Sequence, residues 1–123
     1  MTGNTDLQVV LNSMRISCDE VEYGFATIDE DVEVSTADML GMFKESEGLT
    51  ILATRQYLED KGLSYEGPFA KLTVDIHTSL ELVGLIAVLA TKLAESGISA
   101  NVYAAFYHDH IFVQYDARGR LRR

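Results

Sequence analysis

The chain has 123 residues, 47% of them apolar and 24% charged, proportions that suit a globular domain and exclude a disordered, collagen-like or coiled-coil chain. At this length one modest core, or two small halves sharing a sheet, is buried without disulfides or a structural metal, and the single cysteine, Cys18, excludes an internal disulfide. Ten Lys and Arg against nineteen Asp and Glu give a net charge of −9, so nucleic acid is not an expected partner.

In chain order, Leu7, Val10, Leu11 and Met14 have helical spacing, and Tyr23 to Ile28 reads as a strand. An acidic loop follows. Ser35, with Asp38 three residues on, predicts a helix start that puts Met39, Met42 and Phe43 on one face before Gly48 ends it. Leu49 to Ala53 is a short buried strand, and Thr54 caps a helix through about Lys61 that Gly62 closes. Gly67-Pro68, holding the only proline, marks a boundary between halves. Beyond it Phe69 to His77 alternates, with Leu72, Val74 and Ile76 on the buried face. Thr78-Ser79-Leu80-Glu81 is a capping box for a helix whose stripe is Leu82, Ile86, Leu89, Ala90 and Leu93, terminated by Gly97. Ile98 to Tyr107 and Ile111 to Tyr115 form a hairpin turning at His108-Asp109-His110. The basic tail Arg118 to Arg123 is expected to be a frayed, solubilising end. The most apolar run, Leu82 to Ala94, is short of the roughly 20 residues a bilayer requires, and the first residues carry no secretory pattern, so a cytoplasmic protein without a membrane partner is expected.

Strand, helix, strand, strand after the boundary is three-quarters of a βαββαβ ferredoxin-like unit, lacking a second helix and a last strand. The stretch Leu80 to Gly84, followed by Leu93-Ala94-Glu95-Ser96-Gly97-Ile98-Ser99-Ala100-Asn101-Val102, resembles the ACT-domain pattern. Phe106 to Val113 and Phe43 to Leu52 resemble the two halves of a bacterial family built from tandem ACT-like units. The resemblance implies an α+β fold with an N-terminal half over 1–67, a C-terminal ACT domain over 68–117 that looks truncated, and a tail over 118–123. It also implies a regulatory protein, not an enzyme, that binds an amino acid between ACT units; pairing as a homodimer through sheet edges is expected besides. An open edge bearing Tyr103, Phe106, Ile111 and Val113 would otherwise invite aggregation.

The ligand contacts so implied are Thr78, Ser79, Leu80, Val83 and Gly84 at the helix start, with Asn101 and Asp109 as polar partners. A helix N-terminus favours a carboxylate through its unsatisfied amides and dipole, and a carboxylate side chain such as Asp109 favours an ammonium. Thr78 and Glu81 also account for those amides by themselves, and Asp109 suits a turn that bonds its own backbone. His108-Asp109-His110 raises a metal-dependent enzyme as a rival reading, but an HxH alone is a weak ligand set, and no cofactor, catalytic residue or metal is expected. A protein-interaction module that lost its ligand is the other alternative. Cys18, flanked by Asp19 and Glu20, is a poor nucleophile.

Overall fold

Strand β1 (Ile16–Cys18) pairs antiparallel with β5 (Glu66–Val74), setting Ile16 opposite Val74 and Cys18 opposite Leu72. The computed structural model describes residues 12, 15–29, 31–75 and 79–121, with the side chains of 79–83, 85 and 120 outside that description. Two compact units emerge: a central one, Val21–Phe69, and a terminal one made of Met1–Glu20 with Ala70–Arg123. The division falls inside β5, whose first residues pair with the central unit's β2 (Tyr23–Ile28) and whose last pair with β1. Gly67-Pro68 therefore lies within a strand instead of breaking the chain between elements.

The terminal unit orders its strands β1-β5-β7-β6, with β6 at Asn101–Ala104 and β7 at Asp109–Gln114. Helix α2 (Ser79–Glu95) supplies Leu89 and Leu93 to a core shared with Ala70, Leu72 and Val74 of β5 and Ile111 and Val113 of β7. These side chains are buried on one face because strand side chains alternate, and the helix stripe returns every three or four residues. Gly97, at φ +77°, closes α2: its N–H reaches the Ala94 carbonyl at 3.0 Å and the Ile98 N–H reaches Leu93 at 2.8 Å. Only a left-handed residue brings both amides back onto the helix end, hence the glycine.

The last strand that the C-terminal half lacks is supplied from the other end of the chain by β1. Ile111 and Val113 are buried in β7 and Tyr103 is half-buried in β6, which ends the strand order and leaves Val102 exposed, while Phe106 and Tyr107 are exposed at the hairpin tip. That tip is also displaced from its expected place. The Ala105 N–H bonds the His108 carbonyl at 3.1 Å, making Phe106-Tyr107 the turn and putting Asp109 and His110 inside β7. The tail is not frayed over 118–121. A short helix α3 (Arg118–Leu121) is held where Arg118 meets Glu20 at 2.6 Å and lies over the Tyr115 ring.

The central unit orders its strands β3-β4-β2-β5, with β3 at Met39–Glu45 and β4 at Gly48–Thr54. Its core holds Ala26, Ile28, Ile51, Ala53 and Leu58, the last from helix α1 (Arg55–Asp60), which Thr54 caps through the Tyr57 N–H at 3.2 Å. The helix predicted from Ser35 is not there. A single 3₁₀ turn (Thr36–Asp38) leads into β3. The spacing of Met39, Met42 and Phe43 suits a helix, but Gly41 weakens one by about 1 kcal/mol and Ser46-Glu47 turns the chain so that β3 is zipped onto β4. The helix at 7–14 and the capping box from Thr78 fall on residues or side chains outside the description. No helix among the described residues is long and apolar enough to cross a membrane.

Replacing Ser17 with Pro removes a ladder donor from β1 in the stretch that borders β5. The urea midpoint of S17P should fall; an unchanged midpoint would mean that β1 does not support the terminal unit.

Candidate functional site

The candidate ligand residues of the terminal unit separate into two places. Thr73 and His110 meet across β5 and β7, Oγ1 to Nδ1 at 3.1 Å, and this contact fixes the row on which the neighbouring residues lie. Asp109, one residue earlier in β7, consequently sits at the end of the sheet where β5 finishes at Val74 and the chain leaves for α2. It alternates with Ile111 and Val113, so it shares their face, the one that α2 covers. Asn101 pairs with Phe112, three rows away, roughly 10 Å along the ladder. Its Nδ2 donates to the Phe112 carbonyl at 3.1 Å, which pins the start of β6. Asn101 and Asp109 are thus not brought together.

Gly84 lies in the second turn of α2 and is exposed, and a Cβ built there meets nothing within 4 Å among the described residues. A helical glycine costs about 1 kcal/mol relative to alanine, and no close packing among the described residues demands it. Thr78 lies outside the described residues, as do the side chains of Ser79, Leu80 and Val83.

On the opposite face of the same sheet His110 is poised for titration. Burial is the largest influence lowering its pKa from the ordinary 6.5, helped by the Lys71 and His108 charges and opposed by Asp109. The His108 and His110 rings stand 6.4 Å apart, and His110 Nδ1 faces Thr73. No group of three or more His, Cys, Asp or Glu side chains suited to a metal occurs among the described residues.

The central unit offers shallow cavities of a different character. One of about 300 Å³ is bordered by Glu22, Thr54, Arg55 and Glu59. Arg55 binds Glu59 at 2.9 Å and Glu22 at 3.2 Å, and Tyr65 donates to Glu59 at 2.7 Å. Donation by Arg55 to Glu59, then to the Tyr65 oxygen, raises the guanidinium pKa; the bonds that Tyr65 and Arg55 donate hold the Glu59 carboxyl below its usual range. Arg55 and Glu59 stand at i,i+4 spacing on α1, but nothing in the spacing pointed to Glu22, which the β2–β4 pairing brings to Arg55. A second cavity, about 410 Å³, opens at the β3–β4 turn beside Asp29, Lys44, Glu45 and Glu47, and a third of about 390 Å³ lies by Phe25, Thr27 and Tyr65.

With two units built on antiparallel strands and helices, the chain matches ACT domain profiles over residues 2–70 and 64–120. The chain belongs to the ACT domain family. ACT domains are commonly small-molecule-binding regulatory modules. The chain is 36% identical to VC0802 of Vibrio cholerae, a crystallised protein of unknown function described as a possible transport protein. The match covers 98% of this chain and 94% of that one, with a TM-score of 0.75. The protein Atu0741 of Agrobacterium tumefaciens shares the fold at a TM-score of 0.70 and 14% identity, covering 86% of this chain and 81% of that one. No curated protein matches the chain. The two profiles overlap over residues 64–70, whereas the compact units place Met1–Glu20 with the C-terminal residues.

Because the folded ACT unit favours neutral His110, the unfolded chain binds more protons near pH 6, and stability rises with pH there. The contribution is full above pH 6.5 and is lost as pH falls through that value towards the lower folded pKa. Unfolding midpoints between about pH 7.5 and 5 should fall for the native chain and fall less for His110→Gln; parallel profiles would remove His110 from the account.

Proposed function

We propose that this ACT protein is a regulatory sensor of an amino acid or similar small zwitterion. The ligand is held where α2 begins in the terminal unit, and a second copy of the chain completes the site in a homodimer. Asp109 carries this reading: it brings a carboxylate to the α2-bearing face at the end of the sheet from which that helix starts. The helix start suits the ligand carboxylate and Asp109 suits its ammonium, two charges of opposite sign separated within one small molecule. Gly84 adds the second support, since its bare backbone leaves room for a ligand or a neighbouring chain to approach α2.

The residues of the first contact set keep unequal roles in this proposal. Thr78, Ser79 and Leu80 supply backbone amides at the helix start, Val83 and Gly84 flank the ligand, and Asp109 receives its ammonium. Asn101 does not take part, because the register holds it at the other end of the hairpin from Asp109, where its Nδ2 donates to the Phe112 carbonyl.

Melting curves recorded with each of the twenty amino acids test the proposal, because a ligand that binds only the folded state raises the midpoint. At least one amino acid should stabilise the chain at millimolar concentration. Asp109→Ala should weaken its affinity by roughly tenfold or more, the loss expected for a charged hydrogen bond of about 1.5 to 3 kcal/mol, while Asn101→Ala should leave it unchanged. Absence of any stabilising amino acid, or equal effects of the two variants, contradicts the reading.

Gly84→Ala separates folding from binding at the same place. The variant should be more stable than the native chain by about 1 kcal/mol, yet respond less to the ligand. A stabilised variant with an undiminished response would show that nothing approaches Gly84.

A further inference from the structure

We propose that β3 of the central unit is a docking edge for a basic, extended segment of another protein, which adds as a strand beside Met39–Glu45. Among the described residues β3 pairs with β4 alone and ends the order β3-β4-β2-β5. Its exposed apolar side chains lie on both faces. Met42 stands opposite the buried Ile51 on the core side and is 43% exposed, while Phe43 stands opposite Thr50 on the other side and is 66% exposed. Leu40, at the irregular start of the strand, is 43% exposed.

Apolar exposure on two faces of one terminal strand selects the geometry of the occupant. A helix or loop laid on the sheet would cover either Met42 or Phe43, whereas a strand hydrogen-bonded alongside presents side chains to both faces at once. Strand addition also satisfies the outward row of backbone amides and carbonyls, which gives affinity independent of side-chain sequence. The seven residues of β3 offer a ladder of roughly 24 Å. Natural edges are commonly guarded by charge, and here Lys44 is the sole cation of the strand.

Charge selects the chemistry of the partner. Val21–Phe69 contains eleven carboxylates and three basic residues, and exposed Asp38 and Glu47 stand at the two ends of β3. Two copies pairing β3 against β3 would juxtapose those like fields, which is unfavourable within a Debye length of about 8 to 10 Å. A segment with an apolar centre and flanking Lys and Arg matches both the exposed side chains and the field.

The probe is a capped nine-residue peptide with a Val-Ile-Val-Ile-Val centre flanked on each side by Lys and Arg, titrated against the full chain by fluorescence anisotropy. Binding should be measurable at about 50 mM salt and at least about tenfold weaker at about 500 mM. It should vanish when alternate central amides are N-methylated, and vanish when Glu replaces the flanking cations. The double variant Asp38→Lys, Glu47→Lys should bind at least about tenfold more weakly at low salt with an unchanged unfolding midpoint. Failure of the peptide to bind, or binding that survives N-methylation, overturns the proposal. So does a sedimenting dimer that Phe43→Glu dissociates, which would assign the edge to a second copy.

Discussion

Three residue pairs, Ile16 with Val74, Ser17 with Thr73 and Cys18 with Leu72, decide how this chain is organised. The segment Ala70 to Gln114 supplies one helix and three strands, and its first strand would otherwise end without a neighbour on the β1 side. By pairing there, β1 protects the β5 ladder and brings Ile16 and Cys18 against the core of Leu72, Val74, Leu89 and Ile111. The terminal unit is therefore closed by two pieces of chain separated by the whole of the central unit. Contacts of such high sequence separation pay loop-closure entropy before they are rewarded, so they form only if the packing they complete is substantial.

The two ACT units diverge in what they leave available. In the terminal unit a 17-residue helix follows the first strand and starts at the end of the sheet that holds Asp109. In the central unit the corresponding stretch after β2 is an acidic loop and a single 3₁₀ turn. Without a helix there, Met42 and Leu40 of β3 stay exposed, and carboxylates gather at the ends of that strand. In the two proposals one unit takes the small ligand and the other the macromolecular segment.

Much of this was legible in the sequence where a local rule and the tertiary fold agree. Thr54 caps α1 as its residue type predicts, Gly97 closes α2, and Leu72 and Val74 face the core as alternation requires. The reading failed where distant chain decides. Met39, Met42 and Phe43 have helical spacing, but pairing with β4 overrides it. Phe106 and Tyr107 have strong strand propensity, yet they form the turn, because Ala104 pairs with Asp109 and fixes the register of β6 on β7. The fourth strand of the terminal unit was hard to see from the C-terminal half itself, since Ile16 to Cys18 is only three residues long and residues 19–71 separate it from its partner. At the candidate site the sequence indicated Asp109 and Asn101 as one pair, and the register separates them.

Native-state hydrogen exchange over β1 and β5 tests this organisation most directly. If β1 is integral to the terminal unit, the ladder amides shared by Ile16–Cys18 and Leu72–Val74 open with one free energy, close to that of the β7 amides at Ile111 and Val113. Rapid exchange of the β1 amides while β5 and β7 stay protected would contradict it, and would leave the terminal unit with the unpaired edge that its own sequence implies.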